Sequence, residues 1–95
     1  MGSATFSVQL AGPAAGDLDK LSKKQRHEVL EDIGKLRDDP FPKRPAKRKL
    51  KGFKAPYYRL RCGDYRVLYR TDGPVVTIMR IINRSELERI VKSLK

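Results

Sequence analysis

The sequence predicts a single α+β domain over residues 1–95, with a small antiparallel sheet, an N-terminal helical hairpin and a short C-terminal helix. Three observations carry this prediction. Apolar and polar residues alternate near the start of the chain, apolar residues recur at helical spacing in two later stretches, and a Gly-Asp pair separates two strand-like runs in the second half. A chain of 95 residues has room for one hydrophobic core and no second.

Each element follows from its residues. Phe6, Val8 and Leu10 alternate with Thr5, Ser7 and Gln9, the period of a half-buried strand that ends near Ala11-Gly12-Pro13. A short helical turn through Leu18 and Leu21 leads to Ser22, whose spacing to Gln25 fits a capping box. Val29, Leu30, Ile33 and Leu36 then mark an amphipathic helix ending before Pro40. Four prolines between Asp38 and Pro56, with seven Lys or Arg and no acid from Lys43 to Lys54, make the next stretch a basic loop or edge strand. Tyr57 to Cys62 and Tyr65 to Thr71 read as a hairpin turning at Gly63-Asp64, and Val75 to Asn83 as a further strand after Asp72-Gly73-Pro74. Ser85 and Glu88 have capping-box spacing ahead of a closing helix striped by Leu87, Ile90, Val91 and Leu94.

The charge balance narrows the partners. There are 22 Lys plus Arg against 11 Asp plus Glu, a formal charge of +11 that self-repels in so small a body unless a polyanion is the partner. Nucleic acid is the first candidate; general solubility and a membrane surface are the alternatives that charge alone leaves open. The single cysteine, Cys62, cannot form an internal disulfide, and no basic segment leads into an apolar core at the N-terminus, so the expected location is cytoplasmic. Val75 to Ile82, broken by Thr77 and Arg80, is too short to cross a bilayer, so no membrane role is expected.

A two-residue turn at Gly63-Asp64 pairs Cys62 with Tyr65, Leu60 with Val67 and Tyr58 with Tyr69, and puts all six on the core face. The other face then carries Arg61 opposite Arg66, Arg59 diagonal to Arg66, and Tyr57 and Arg70 farther along. Opposed like charges weaken a sheet, so this pattern points to an anion site. A three-residue turn would instead send Arg61 and Arg66 to opposite faces. Arg84, directly after the last strand, is placed to project from the sheet end and complete a phosphate cradle.

Several fixed guanidinium groups can stabilise the dianionic phosphorane formed when an RNA 2′-OH attacks its own phosphate. Arginine is a poor general base. Tyr57, Lys51 or Lys54 are the candidates for moving protons, since neighbouring positive charge favours their deprotonation. The lone histidine, His27, sits among Gln25, Arg26 and Glu28 on the predicted helix and reads as a surface residue. No metal-ligand spacing and no glycine-rich phosphate loop occurs, so neither a metal nor a nucleotide cofactor is expected.

The runs Lys49-Leu50-Lys51-Gly52 and Tyr58-Arg59-Leu60-Arg61-Cys62-Gly63-Asp64-Tyr65-Arg66-Val67-Leu68-Tyr69 resemble the bacterial RelE/ParE toxin superfamily. The likeness extends in order over nearly the whole chain, through the early strand, the segment from Asp17-Leu18 to Leu21, the helix exit at Asp39-Pro40 and Asn83-Arg84. It implies a RelE-like fold and a toxin of a type II toxin–antitoxin module. RelE-type members cleave messenger RNA in the ribosomal decoding site, whereas ParE-type members inhibit DNA gyrase by binding. The resemblance implies that Arg66 and Arg84 handle the scissile phosphate, that Arg59 stands where a catalytic lysine is usual, and that Tyr57 replaces another such lysine. The family's C-terminal tyrosine or histidine has no counterpart between Ser85 and Lys95. The expected reading is a ribosome-dependent endoribonuclease in which Arg59, Arg61, Arg66, Arg84 and Tyr57 act at the scissile phosphate. Lys47, Arg48, Lys49, Lys51, Lys54 and Arg70 would hold RNA without sequence choice. The expected partners are a cognate antitoxin, the ribosome and its messenger, with operator DNA reached only through the antitoxin.

Overall fold

The computed structural model describes residues 5–41, 47–53 and 56–94. In chain order these form β1 (Ser7–Leu10), α1 (Gly12–Asp19), α2 (Lys23–Gly34) prolonged by a 3₁₀ turn over Lys35–Arg37, β2 (Lys47–Lys49), β3 (Tyr57–Cys62), β4 (Tyr65–Asp72) and β5 (Val75–Asn83). A 3₁₀ turn over Arg84–Glu86 then leads into α3 (Leu87–Leu94). The class is α+β, with a helical hairpin at the start and a short helix at the end. From β2 to β5 the sheet is antiparallel, and β1 adds alongside β5 in parallel, giving a mixed sheet of order β1-β5-β4-β3-β2. A parallel neighbour needs a long crossover, and the whole chain between Leu10 and Val75 provides it.

Local chemistry sets the boundaries. Pro13, in the first turn of α1, needs no amide donor there. Ser22 caps α2 in a reciprocal box: its hydroxyl accepts from the Gln25 amide and Gln25 Oε1 accepts from the Ser22 amide, both at 3.2 Å. Gly63 and Gly73 each open a two-residue hairpin loop with φ near +58°, the glycine-first pattern of a type II′ turn. At the start of the C-terminal segment the cap is Asn83, where Ser85 was expected. Asn83 Oδ1 accepts from the Ser85 amide and hydroxyl at 3.0 and 2.9 Å, so the chain begins to coil as a 3₁₀ turn before α3.

α1 and α2 cover one face of the sheet. Val29 and Ile33 from α2 and Leu36 from its 3₁₀ extension meet Leu60, Val67, Tyr69, Val76 and Ile78 in the main core. Burying an aliphatic side chain there stabilises by about 1.5–3 kcal/mol. Tyr58 and Tyr69 stack at 5.4 Å, and the Tyr69 hydroxyl donates to the Pro40 carbonyl at 2.6 Å, tying the exit of α2 to the middle of the sheet. A smaller cluster lies on the opposite face, where Leu68, Ile82 and Ile90 are buried with Leu50, Met79, Leu87, Val91 and Leu94 packed around them. The closing helix therefore covers part of the face that carries the arginines.

At a bulge the β4–β5 register slips between Leu68, opposite Arg80, and Tyr69, opposite Ile78. There the Arg80 guanidinium donates to the Asp17 carboxylate through Nε at 2.7 Å and Nη2 at 3.1 Å, and the Ile81 amide donates to it at 2.9 Å. β1 pairs with β5 only as far as Ile78. Beyond it, the Asp17 carboxylate takes the place of the next strand.

Candidate nucleic-acid interface

β3 and β4 pair in the register that a two-residue turn dictates: Cys62 with Tyr65, Arg61 with Arg66, Leu60 with Val67, Arg59 with Leu68, Tyr58 with Tyr69 and Tyr57 with Arg70. Cys62, Leu60 and Tyr58 are buried toward the helices, which leaves Tyr57, Arg59, Arg61, Arg66 and Arg70 on the other face. β2 extends that face at the sheet edge, since Arg48 lies opposite Arg59.

This arginine cluster is not neutralised from within. Partial burial lowers the Arg59 pKa, and the charges of Arg66, Arg48 and Arg61 lower it further. Among the described residues, the charged groups acting on Arg59 are arginines. It stays protonated, its proton affinity lowered first by burial and then by these like charges. Arg59 pairs across the strands with Leu68, a buried member of the α3 cluster, which accounts for its partial burial.

Arg66 and Arg84 each reach the β3–β4 turn. Arg66 Nη1 donates to the carbonyls of Gly63 and Tyr65, both at 2.9 Å, which draws the guanidinium toward the turn. The Arg84 amide donates to the Asp64 carbonyl at 2.8 Å, and its Nε lies 3.8 Å from Asp64 Oδ1. Both side chains of that ion pair are largely exposed, so the contact is weak and easily exchanged for another anion. Asp64 is a feature the sequence reading missed. The signal was its place in the turn, next to the strand that carries Arg66.

Not every predicted residue gathers here. Lys47 lies opposite Leu60 and points to the helical face, where its ammonium donates to the Asp39 carbonyl at 2.8 Å and lies 3.8 Å from the Asp39 carboxylate. Lys49, opposite Tyr58, also alternates away from the arginine face, though it is exposed at the sheet edge. Lys51 is exposed in the bend after β2, and Lys54 lies outside the described residues. Arg70 is half-buried, and its Nε has no hydrogen-bond partner among the described residues. Tyr57 stacks on Phe53, with ring centroids 4.5 Å apart. His27 is exposed on α2, 3.6 Å from Glu31.

Clefts on the helical side have a different character. One of about 280 Å³ is lined by Gln25, Glu28, Asp32, Cys62 and Asp64, and another of about 350 Å³ by Asp32, Asp39, Lys47 and Arg61. The carboxylates of the first suit a polyanion poorly; the second sets Asp32 and Asp39 among Lys35, Lys47 and Arg61, which lies past the last β2 pair and so borders both sides of the sheet edge. Among the described residues no helix is long and apolar enough to cross a membrane. None of them gathers three or more metal-ligating His, Cys, Asp or Glu side chains.

The family model described as ParE toxin of type II toxin-antitoxin system, parDE, matches residues 8–88. Among solved structures, the chain is similar to the archaeal RelE-RelB complex from Pyrococcus horikoshii OT3, at 30% identity and a TM-score of 0.73 over 84% of this chain and 96% of that one. It is equally similar to the toxin-antitoxin complex RelBE2 from Mycobacterium tuberculosis, at 30% identity and a TM-score of 0.73 over 84% and 99% of the two chains. The chromosomal ParDE toxin-antitoxin system from P. aeruginosa shares the fold at 19% identity, with a TM-score of 0.58 over 85% and 98%. No individually curated protein sequence matches the chain significantly. A family match across most of the residues, with relatives covered almost end to end, means that the chain belongs to the RelE/ParE superfamily of type II toxin–antitoxin toxins.

Proposed function

We propose that this toxin is of the RelE type and cleaves messenger RNA on the ribosome, stopping translation, with its arginines providing the electrostatic stabilisation that a metal supplies elsewhere. The observation that carries this reading is the gathering of Arg48, Arg59, Arg61 and Arg66 on one sheet face. Guanidinium groups fixed by a sheet need no reorganisation when the phosphorane develops its extra charge, which is the condition under which electrostatic stabilisation is largest. Arg66 and Arg84, which each reach the β3–β4 turn, would hold the scissile phosphate. Arg59 and Arg61 would spread the charge of the transition state, and Arg48 with Lys51 would bind flanking RNA. Tyr57 shares the face but lies at the opposite end of β3 from that turn.

The alternative is a ParE-type inhibitor of DNA gyrase that binds without cutting. The match to the ParE toxin model favours it, as does the lack of tyrosine and histidine between Ser85 and Lys95. An induced culture separates the two. The nuclease stops methionine incorporation first, whereas a gyrase inhibitor stops thymidine incorporation first and leaves messages intact.

Either activity would be held in check by a cognate antitoxin in the cytoplasm, as the RelE-RelB and RelBE2 complexes suggest by likeness. An acidic amphipathic segment suits a net charge of +11 and would shield the arginines. Operator DNA would be contacted only through that antitoxin.

A further inference from the structure

We propose that Phe53 and Tyr57 form a stacking platform for one nucleobase of the RNA strand whose phosphates the arginines hold, a site set apart from the phosphate cradle itself. This rests on the RNA reading of the arginine face. The two rings lie 4.5 Å apart at 18° between planes. They stand apart from the aromatic series of the other face, in which Phe6, Phe41, Tyr58 and Tyr69 contact one another in sequence. That series closes the main core beneath α2. Phe53 and Tyr57 are both half-exposed, so their ring surfaces remain accessible to solvent.

Local backbone brings the rings together. Gly52 takes φ +86°, a conformation other residues rarely adopt, while the Leu50 amide donates to the Tyr57 carbonyl at 2.8 Å. The chain thereby folds back so that Phe53 meets Tyr57 at the start of β3. Tyr57 shares its face with Arg59 and Arg61, two and four residues along the strand. At about 3.3 Å of rise per residue, roughly 13 Å separate Tyr57 from Arg61, a distance that a short single strand spans. A π-face beside a row of cations is the arrangement by which single-stranded RNA is held, with backbone contacts for affinity and stacking that tolerates any base. Half-exposed aromatic rings beside arginines fit that use. The RNA would run from the β3–β4 turn, which Arg66 and Arg84 each reach, toward the β2–β3 connection, where a base caps the rings.

The test uses the full chain and short 2′-O-methyl oligoribonucleotides, which cannot be cut, with binding followed by fluorescence anisotropy at low salt. Phe53→Ala should weaken binding by about 5- to 100-fold, the range for losing one base–aromatic stack. A single abasic nucleotide scanned along the oligonucleotide should weaken wild type to the same extent at one position. The same lesion should leave Phe53→Ala unchanged, because the two losses remove one interaction. Phe53→Trp should restore binding. If Phe53→Ala binds intact RNA like wild type, or loses equally on intact and abasic RNA, the platform is overturned while the RNA reading stands. If wild type binds no RNA although Arg61→Ala, Arg66→Ala and wild type are all folded, both fail together.

Discussion

Arg61 on β3 and Arg66 on β4 face each other directly, and among the described residues neither forms an ion pair with a carboxylate. Like charges in that register weaken a strand pair by roughly 0.2–1 kcal/mol. Arg61→Gln should therefore raise stability by up to about 1 kcal/mol at low ionic strength, with the gain fading in molar salt as screening removes the repulsion. Arg66→Gln should gain less, because Arg66 also donates to the Gly63 and Tyr65 carbonyls. Urea unfolding at two salt concentrations measures both. A destabilised Arg61→Gln would mean that Arg61 already has an anionic partner.

The same register puts Val67 at the centre of the main core, with no exposed surface. Val67→Asp should abolish the folded state, since an unpaired carboxylate at a fully buried site costs several kcal/mol on top of the lost packing, a large part of the roughly 5–15 kcal/mol by which a domain is stable. Leu60→Asp, in the paired position opposite, should do the same. Circular dichroism of either variant showing a wild-type spectrum and melt would contradict the register.

Asp17 makes three hydrogen bonds to β5 that no other group replaces where β1 stops pairing. Asp17→Ala should lose about 2–3 kcal/mol, less than for a fully buried pair because Arg80 keeps some contact with solvent. Hydrogen exchange should report it locally, with the Ile81 amide losing its protection before the core strands. Unchanged protection at Ile81 would show that the clamp is dispensable.

Burial, reinforced by Asp32, pushes the Cys62 thiol from 9.0 up to about 12, and burial raises the Tyr69 hydroxyl as well. Both groups keep their protons in the folded chain at pH values where the unfolded chain has lost them. Their contribution is complete below about pH 9 and falls away as pH rises toward 12. Cys62 alone can contribute a slope of at most about 1.4 kcal/mol per pH unit. Cys62→Ala should flatten the alkaline decline of the urea midpoint. An unchanged slope would mean that the thiol is no more buried than it is in the unfolded chain.

Much of this architecture was legible because short-range chemistry set it. Ser22 and Gln25 announce the start of α2, and Gly63-Asp64 fixes a turn length from which every β3–β4 pair follows. The partner of β1 was not legible, because pairing Ser7 with Val75 depends on a sheet that four other strands must first build. Asn83 and Ser85 both have good capping chemistry, and only the 3₁₀ turn decides between them. In the candidate site, alternation placed Arg59, Arg61 and Arg66 on one face. It could not show that a three-residue β2 would turn Lys47 toward Asp39, or that Leu68 and Ile82 would draw α3 onto the arginine face. Those facts are tertiary, since each depends on a residue distant in the chain.

The most direct measurement is translation in a purified bacterial system, with messenger ends mapped by primer extension for wild type and for a folded Arg66→Ala, Arg84→Ala double variant. New ends that require the ribosome and disappear in the double variant, a loss of at least about a hundredfold from removing two transition-state cations, are the predicted result. Intact message from wild type, with gyrase supercoiling blocked in a parallel reaction, would contradict the nuclease reading and establish the ParE-type inhibitor in its place.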